Sequence, residues 1–191
     1  MLSAFIRSLP SGTCYAQLWS DRIRISCTQS AKIFDDQPLL AIRNENGKKI
    51  VMAAGRKAAQ LCRQEQLQKQ RSEQSNKQPN KQPKEKPVPD LTLVNPFDHP
   101  RLLIADFSYA EKLLRYAIYR VYEKSILPRY PVLIIQPMEK TEGGINDIER
   151  RMYTELGLGA GARKVYVHDG APLAHPLRAE DTDLKRIIAD K

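Results

Sequence analysis

Residues 64–90 read QEQLQKQRSEQSNKQPNKQPKEKPVPD and contain almost nothing that a core would bury. A stretch of Gln, Lys and Pro gains too little from burial to offset the entropy of being ordered. The expectation is a disordered linker over 64–90, with its first turns continuing a helix that starts at Arg56-Lys57-Ala58-Ala59. The sheets and helices of this chain must therefore come from two flanking stretches, and their hydrophobic periods differ.

Before the linker the pattern is one of short strands. In CYAQLWSDRIRIS (14–26) apolar and polar positions nearly alternate on both sides of Ser20-Asp21, which predicts a hairpin of strands over 14–19 and 21–27. IFDDQPLLAIR (33–43) and KKIVMAA (48–54) follow as further strands, joined by an Asn44-Glu45-Asn46-Gly47 turn.

After the linker, helices and strands alternate. Ser108 and Glu111 form an S-x-x-E capping box, and Leu113, Leu114, Ala117, Ile118, Val121 and Tyr122 then share one helical face. PVLIIQP (131–137) is a continuous apolar run of the kind a buried strand shows. A second helix over 146–156 groups Ile148, Met152 and Leu156 and stops at Gly157 and Gly159. KVYVHD (164–169) is the next strand, and a tail helix near 180–189 carries Leu184, Ile187 and Ile188. Strands separated by helices imply parallel crossovers, so the expected class is α/β: a mixed sheet flanked by helices.

At 191 residues the chain can bury very roughly two thirds of its unfolded surface, so it needs no staples. Cys14, Cys27 and Cys62 are odd in number and lack a C-x-x-C, which suggests neither a disulfide framework nor a zinc site and favours a reducing, cytoplasmic setting. No apolar run approaches the roughly 20 residues that span a bilayer, and the N-terminus does not read as a signal peptide. The net charge of +9 is uneven: +6 over residues 1–63, +2 over 64–90 and +1 over 91–191. A basic first third suits either a solvated face or an anionic partner, lipid or nucleic acid.

Four stretches resemble a known family. GLGAGARKVYV (157–167), LIADFSYAEKLL (103–114), NDIERRMY (146–153) and NGKKIVMAAGRKAAQL (46–61) are similar to segments of MreB, the rod-shape-determining bacterial actin homologue, and FDDQPLLAIR (34–43) fits that family's third strand. The resemblance implies an actin-like, RNase H-like fold represented by a single truncated subdomain, the one called IA. On that reading 1–10 is an amphipathic N-terminal segment, 11–63 the first half of the subdomain, 64–90 the linker, 91–178 the second half and 179–191 the tail helix. The linker replaces much of the small subdomain IB, and the second half of the family fold has no counterpart here.

The resemblance also points to lost chemistry. The family's first hairpin carries D-L-G-T, whose Asp organises magnesium and the attacking water and whose Gly lets the backbone approach the phosphates. Gapless placement puts Gln17 at the Asp and Trp19 at the Gly. A neutral amide holds a divalent ion poorly, and an indole fills the phosphate space. The family's second carboxylate, a Glu before a Pro, aligns with Gly170, and the adjacent Asp169 faces the other way if strand alternation continues. The expectation is therefore no ATP hydrolysis, no catalytic residues, and no cofactor or metal.

Leu2, Phe5, Ile6 and Leu9 fall on one helical face of MLSAFIRSL, as in some MreB proteins whose first segment lies on the inner membrane. His99, His168 and His175 have no metal-ligand spacing and read as surface histidines. Glu149-Arg150-Arg151 matches a surface feature of the family, and Gly143-Gly144 lacks a phosphate-loop context. Tyr116, Tyr119 and Tyr122 lie at helical spacing, which favours packing over nucleic-acid stacking. The expected function is a non-catalytic MreB-like binding or scaffold protein with a cytoskeletal, cell-shape or envelope partner and peripheral inner-membrane contact. The alternatives are a nucleic-acid-associated basic protein and a residual ATP-binding protein completed by a partner chain.

Overall fold

The element order is β1 (Thr13–Leu18), β2 (Ile23–Cys27), β3 (Ser30–Asp36), β4 (Leu40–Glu45), β5 (Lys48–Ala54), α1 (Arg56–Ser75), β6 (Leu91–Val94), α2 (Phe107–Val121), β7 (Val132–Pro137), α3 (Asp147–Gly159), β8 (Lys164–Val167) and α4 (Thr182–Ala189). This computed structural model describes residues 12–75, 91–122 and 130–189. The chain divides into two units: Pro38–Asn95, and the residues on either side of it.

The larger unit holds a five-stranded mixed sheet in the order β3-β2-β1-β7-β8. β1 pairs antiparallel with β2 and parallel with β7, and β7 pairs parallel with β8. Cys14, Ala16 and Leu18 share register rows with Leu133 and Ile135 of β7, and this face packs beneath α2 and α3. Tyr15 shares a row with Ile134 and Tyr166 on the opposite face, where the C-terminal segment supplies Leu173, Leu177 and Leu184 with Ile187 and Ile188 against them. Period-2 alternation thus divides β1 between two covers.

The smaller unit is a three-stranded antiparallel sheet, β5-β4-β6, with α1 against it. Ala41, Ala58 and Cys62 form its core, with Leu39, Ala53, Leu61 and Leu91 packed around them. Burial, with Glu65 adding to it, raises the Cys62 thiol pKa. The turn between β4 and β5 places Asn46 and Gly47 at φ 51° and 77°, the left-handed pair that a two-residue hairpin requires.

Several sequence expectations are corrected. A boundary at residue 63 cuts α1, which runs on to Ser75 because one stripe of small residues suffices to seat a helix of good helix formers; residues 76–90 lie outside the described residues. The strand expected over 33–43 is two strands in different units, broken at Gln37–Leu39 where Pro38 removes a donor. Cys14 and Cys27 are cross-strand partners and their sulfurs are bonded, so the expectation of no disulfide fails: counting cysteines overlooked that the expected hairpin about Ser20-Asp21 sets these two opposite each other. The cap of α2 is Asp106, which accepts from Tyr109 N–H at 3.0 Å, so Ser108 lies inside the helix.

Helix α3 also departs from expectation. Its start is an Asn146/Glu149 capping box. Ile148 is 82 % exposed, since the first turn projects its side chain away from the sheet while Tyr153 and Leu156 are buried. Gly157 does not stop the helix but lies within it, while Gly159 is its last residue, and both are at close contacts. A Cβ on Gly157 would sit 2.6 Å from Val165 Cγ2 and 3.1 Å from Ile135 Cδ1. Val165 is β-branched and cannot easily swing aside. Gly157→Ala is therefore expected to destabilise the protein by about 1–3 kcal/mol despite the better helix propensity of Ala, read as a lower denaturant midpoint at unchanged slope.

Candidate functional site

Gln17 lies on the face of β1 covered by the C-terminal segment and is 4 % exposed. Its Oε1 accepts from His175 Nε2 at 2.7 Å, and its Nε2 donates to Met138 Sδ at 3.6 Å. With Oε1 as acceptor, the imidazole is neutral and carries its proton on Nε2. Nδ1 then accepts from the Ser26 hydroxyl at 2.7 Å, and Ser26 Oγ accepts from Leu177 N–H at 3.3 Å. The ring stacks on Tyr15, with centroids 5.1 Å apart and planes 21° apart.

The network continues across the sheet. Tyr15 OH donates to Gln136 Oε1 and accepts from Leu173 N–H at 3.2 Å, while Gln136 Nε2 donates to the Gly170 carbonyl at 2.7 Å. Burial raises the Tyr15 pKa. Burial also pushes His175 down to about 4, helped by the positive field of Arg24 and Arg22 and opposed by Asp35. Asp35 itself is held below the ordinary carboxylate range by Arg22, which donates to it at 2.7 and 2.5 Å, with Arg24 adding a contact at 3.1 Å.

Gln136, the register neighbour of Gln17, thus holds Gly170, and the stack of Tyr15 on His175 joins its bonds to those of Gln17. Trp19 does not join it. That residue begins the turn of the hairpin, where its N–H donates to Arg22 O at 2.9 Å and the Arg22 guanidinium lies 5.4 Å from its ring centroid. The next amide, Ser20 N–H, donates to the Glu139 carboxylate at 3.2 Å. Asp169 is exposed and accepts from Arg150 Nη2 of α3 at 2.8 Å. Leu2, Phe5, Ile6 and Leu9 lie outside the described residues.

These side chains do not fit the magnesium–nucleotide group that the sequence resemblance to MreB implies. A hard dication needs anionic oxygen ligands, and Tyr15, Gln17, Ser26, Gln136 and His175 offer none. The turn's Ser20 amide is already held by a carboxylate of the chain. No cluster of three or more His, Cys, Asp or Glu side chains suited to a metal ion occurs among the described residues.

Sequence reasoning missed His175, Ser26, Gln136 and Glu139. His175 is half-buried and not a free surface histidine, because a partner 158 residues away in sequence holds its ring. Strand alternation alone put Tyr15 and Gln17 on one face, but nothing local named what covers them.

With the geometry in view, the comparisons are specific. Two curated relatives, the cell shape-determining proteins MreB of Pasteurella multocida and Haemophilus influenzae, are each 37 % identical over 79 residues, which is 41 % of this chain and 21 % of theirs. Part of this chain is MreB-like. MreB5 of Spiroplasma citri, solved bound to ADP and bound to AMPPNP, superposes with TM-scores of 0.51 and 0.50 at 16 % identity. Those matches cover 82 % of this chain and 37 % and 38 % of the MreB5 chains, so the mixed sheet and the small sheet reproduce part of the MreB actin-like fold. The chain spans about a fifth of the length of the curated MreB relatives it matches. No family model matches it.

The pH dependence follows from His175. Its folded pKa of about 4 lies below the ordinary 6.5, so the unfolded chain takes up the proton first. Stability is complete above pH 6.5 and falls as pH drops from 6.5 toward 4. The Asp35 contribution is lost only at lower pH, as its depressed pKa is crossed. Urea titrations of wild type should lose stability across the first window, and His175→Asn should flatten the slope there.

Proposed function

We propose that this MreB-like chain works by binding and not by catalysis. The observation that carries the reading is Gln17: the position the resemblance assigns to the metal-organising carboxylate is a buried neutral amide, engaged by His175 and Met138. Glu139 on the Ser20 amide and the Gly170 carbonyl on Gln136 support it from both sides. The role proposed is a scaffold or adaptor for a cytoskeletal, cell-shape or envelope partner, at the cytoplasmic side of the inner membrane.

Calorimetry with Mg-ATP is expected to show no saturable heat, and phosphate release is expected to stay at the buffer rate. Gln17→Asp should not create an ATPase, because the new carboxylate faces His175 and raises the imidazole pKa as an ion pair forms. ATP-saturable hydrolysis by the wild-type chain would overturn the reading.

Location is tested separately through residues 1–9, whose apolar positions Leu2, Phe5, Ile6 and Leu9 carry the membrane proposal. No helix among the described residues is long and apolar enough to cross a membrane. A fluorescently tagged chain is expected at the cell periphery and should become diffuse when residues 1–9 are deleted. Signal on the nucleoid would favour nucleic-acid binding instead.

A further inference from the structure

Among the described residues the smaller unit's sheet has two outer strands, β5 and β6. In the middle of β5, Ile50, Val51 and Met52 are 40 %, 37 % and 40 % exposed. Three consecutive large apolar side chains lie on this outer strand with neither Pro nor Gly between Lys48 and Ala54; a bulge at Met52 and the pair Lys48-Lys49 disfavour indiscriminate pairing with other sheets and leave the apolar centre exposed.

Charge says what would cover it. Pro38–Asn95 carries 12 Lys and Arg against 5 Asp and Glu, net +7 of the chain's +9. The strand's apolar centre is bracketed in sequence by two exposed basic pairs, Lys48-Lys49 and Arg56-Lys57. Glu45, the register partner of Lys48, is paired with Arg43 at 3.5 Å.

We propose that β5 is a strand-addition site for an extended peptide of a partner protein, with an apolar centre flanked by carboxylates. Main-chain hydrogen bonds along the open edge would supply affinity, and Ile50, Val51, Met52 and the basic pairs would supply specificity. At about 3.3 Å per residue a heptapeptide matches the strand's length. A second copy suits the edge poorly, because two units of net +7 repel. A lipid surface suits it poorly too, since the hairpin's tip, Asn44–Lys49, is polar and the apolar residues lie behind it. Nucleic acid gains nothing from the apolar centre. This inference deepens the binding reading above, but the peptide titration and the nucleotide assay fail independently.

The test is fluorescence anisotropy of the full chain with labelled heptapeptides of the pattern acidic-acidic-apolar-Thr-apolar-acidic-acidic. Saturable binding is expected, weakened at least about tenfold by N-methylating alternate peptide amides and by K48E/K49E. The methylated probe tests the ladder without altering the protein, and far-UV circular dichroism checks the double variant's fold. Equal binding of the methylated peptide would reduce the contact to charge attraction and overturn the proposal. So would no saturable binding up to about 1 mM, or saturation only on phosphatidylglycerol vesicles, a DNA oligomer or a second copy in sedimentation.

Discussion

β1 has no solvent face. Cys14, Tyr15, Ala16 and Leu18 are fully buried, and Gln17 nearly so. A strand buried on both sides needs two covers from the same chain, and the larger unit is organised around supplying them. One cover is α2 with α3, brought close because Gly157 lets the helix meet Val165 and Ile135. The other is the C-terminal segment, whose Leu173, Leu177 and Leu184 make it part of the core.

The same burial makes Gln17 a polar group that must be satisfied in place. Leaving a buried amide unpaired costs about 1–3 kcal/mol, and His175, itself held by Ser26, removes that penalty. The polar groups at this end of β1 answer one another: amide to imidazole, hydroxyl to ring nitrogen, turn amide to Glu139, Gln136 to the Gly170 carbonyl. A ligand entering here would have to break such pairs before making its own.

The sequence made the hairpin, the parallel strands and the helix order legible, because each rests on a local period: two in 14–26, 3.6 in 108–122, a continuous apolar run in 131–137. The comparisons with MreB and MreB5 bear out the α/β actin-like class. What failed was non-local. The division of 33–43 into two units and the half-buried setting of His175 depend on partners distant in sequence. Composition misled at α1, where Gln and Lys dominate outside one buried stripe of Ala58, Cys62 and Glu65. Nor did four residues, Leu91–Val94, carry enough pattern to announce β6.

The two units differ in what they leave for a partner. The larger has a net charge of only +2 and buries Gln17 and Ser26 of its first hairpin in pairs with its own groups. The smaller concentrates +7 and leaves apolar side chains of β5 exposed. Long-range attraction from that charge would raise encounter rates with acidic segments, while the strand edge would fix register once contact is made. A resemblance confined to the fold would direct attention to the nucleotide hairpin, but there the chain's own groups are paired. The distribution of charge and of exposed strand points instead to the smaller unit, where the proposed association would find both long-range attraction and an apolar strand to pair with.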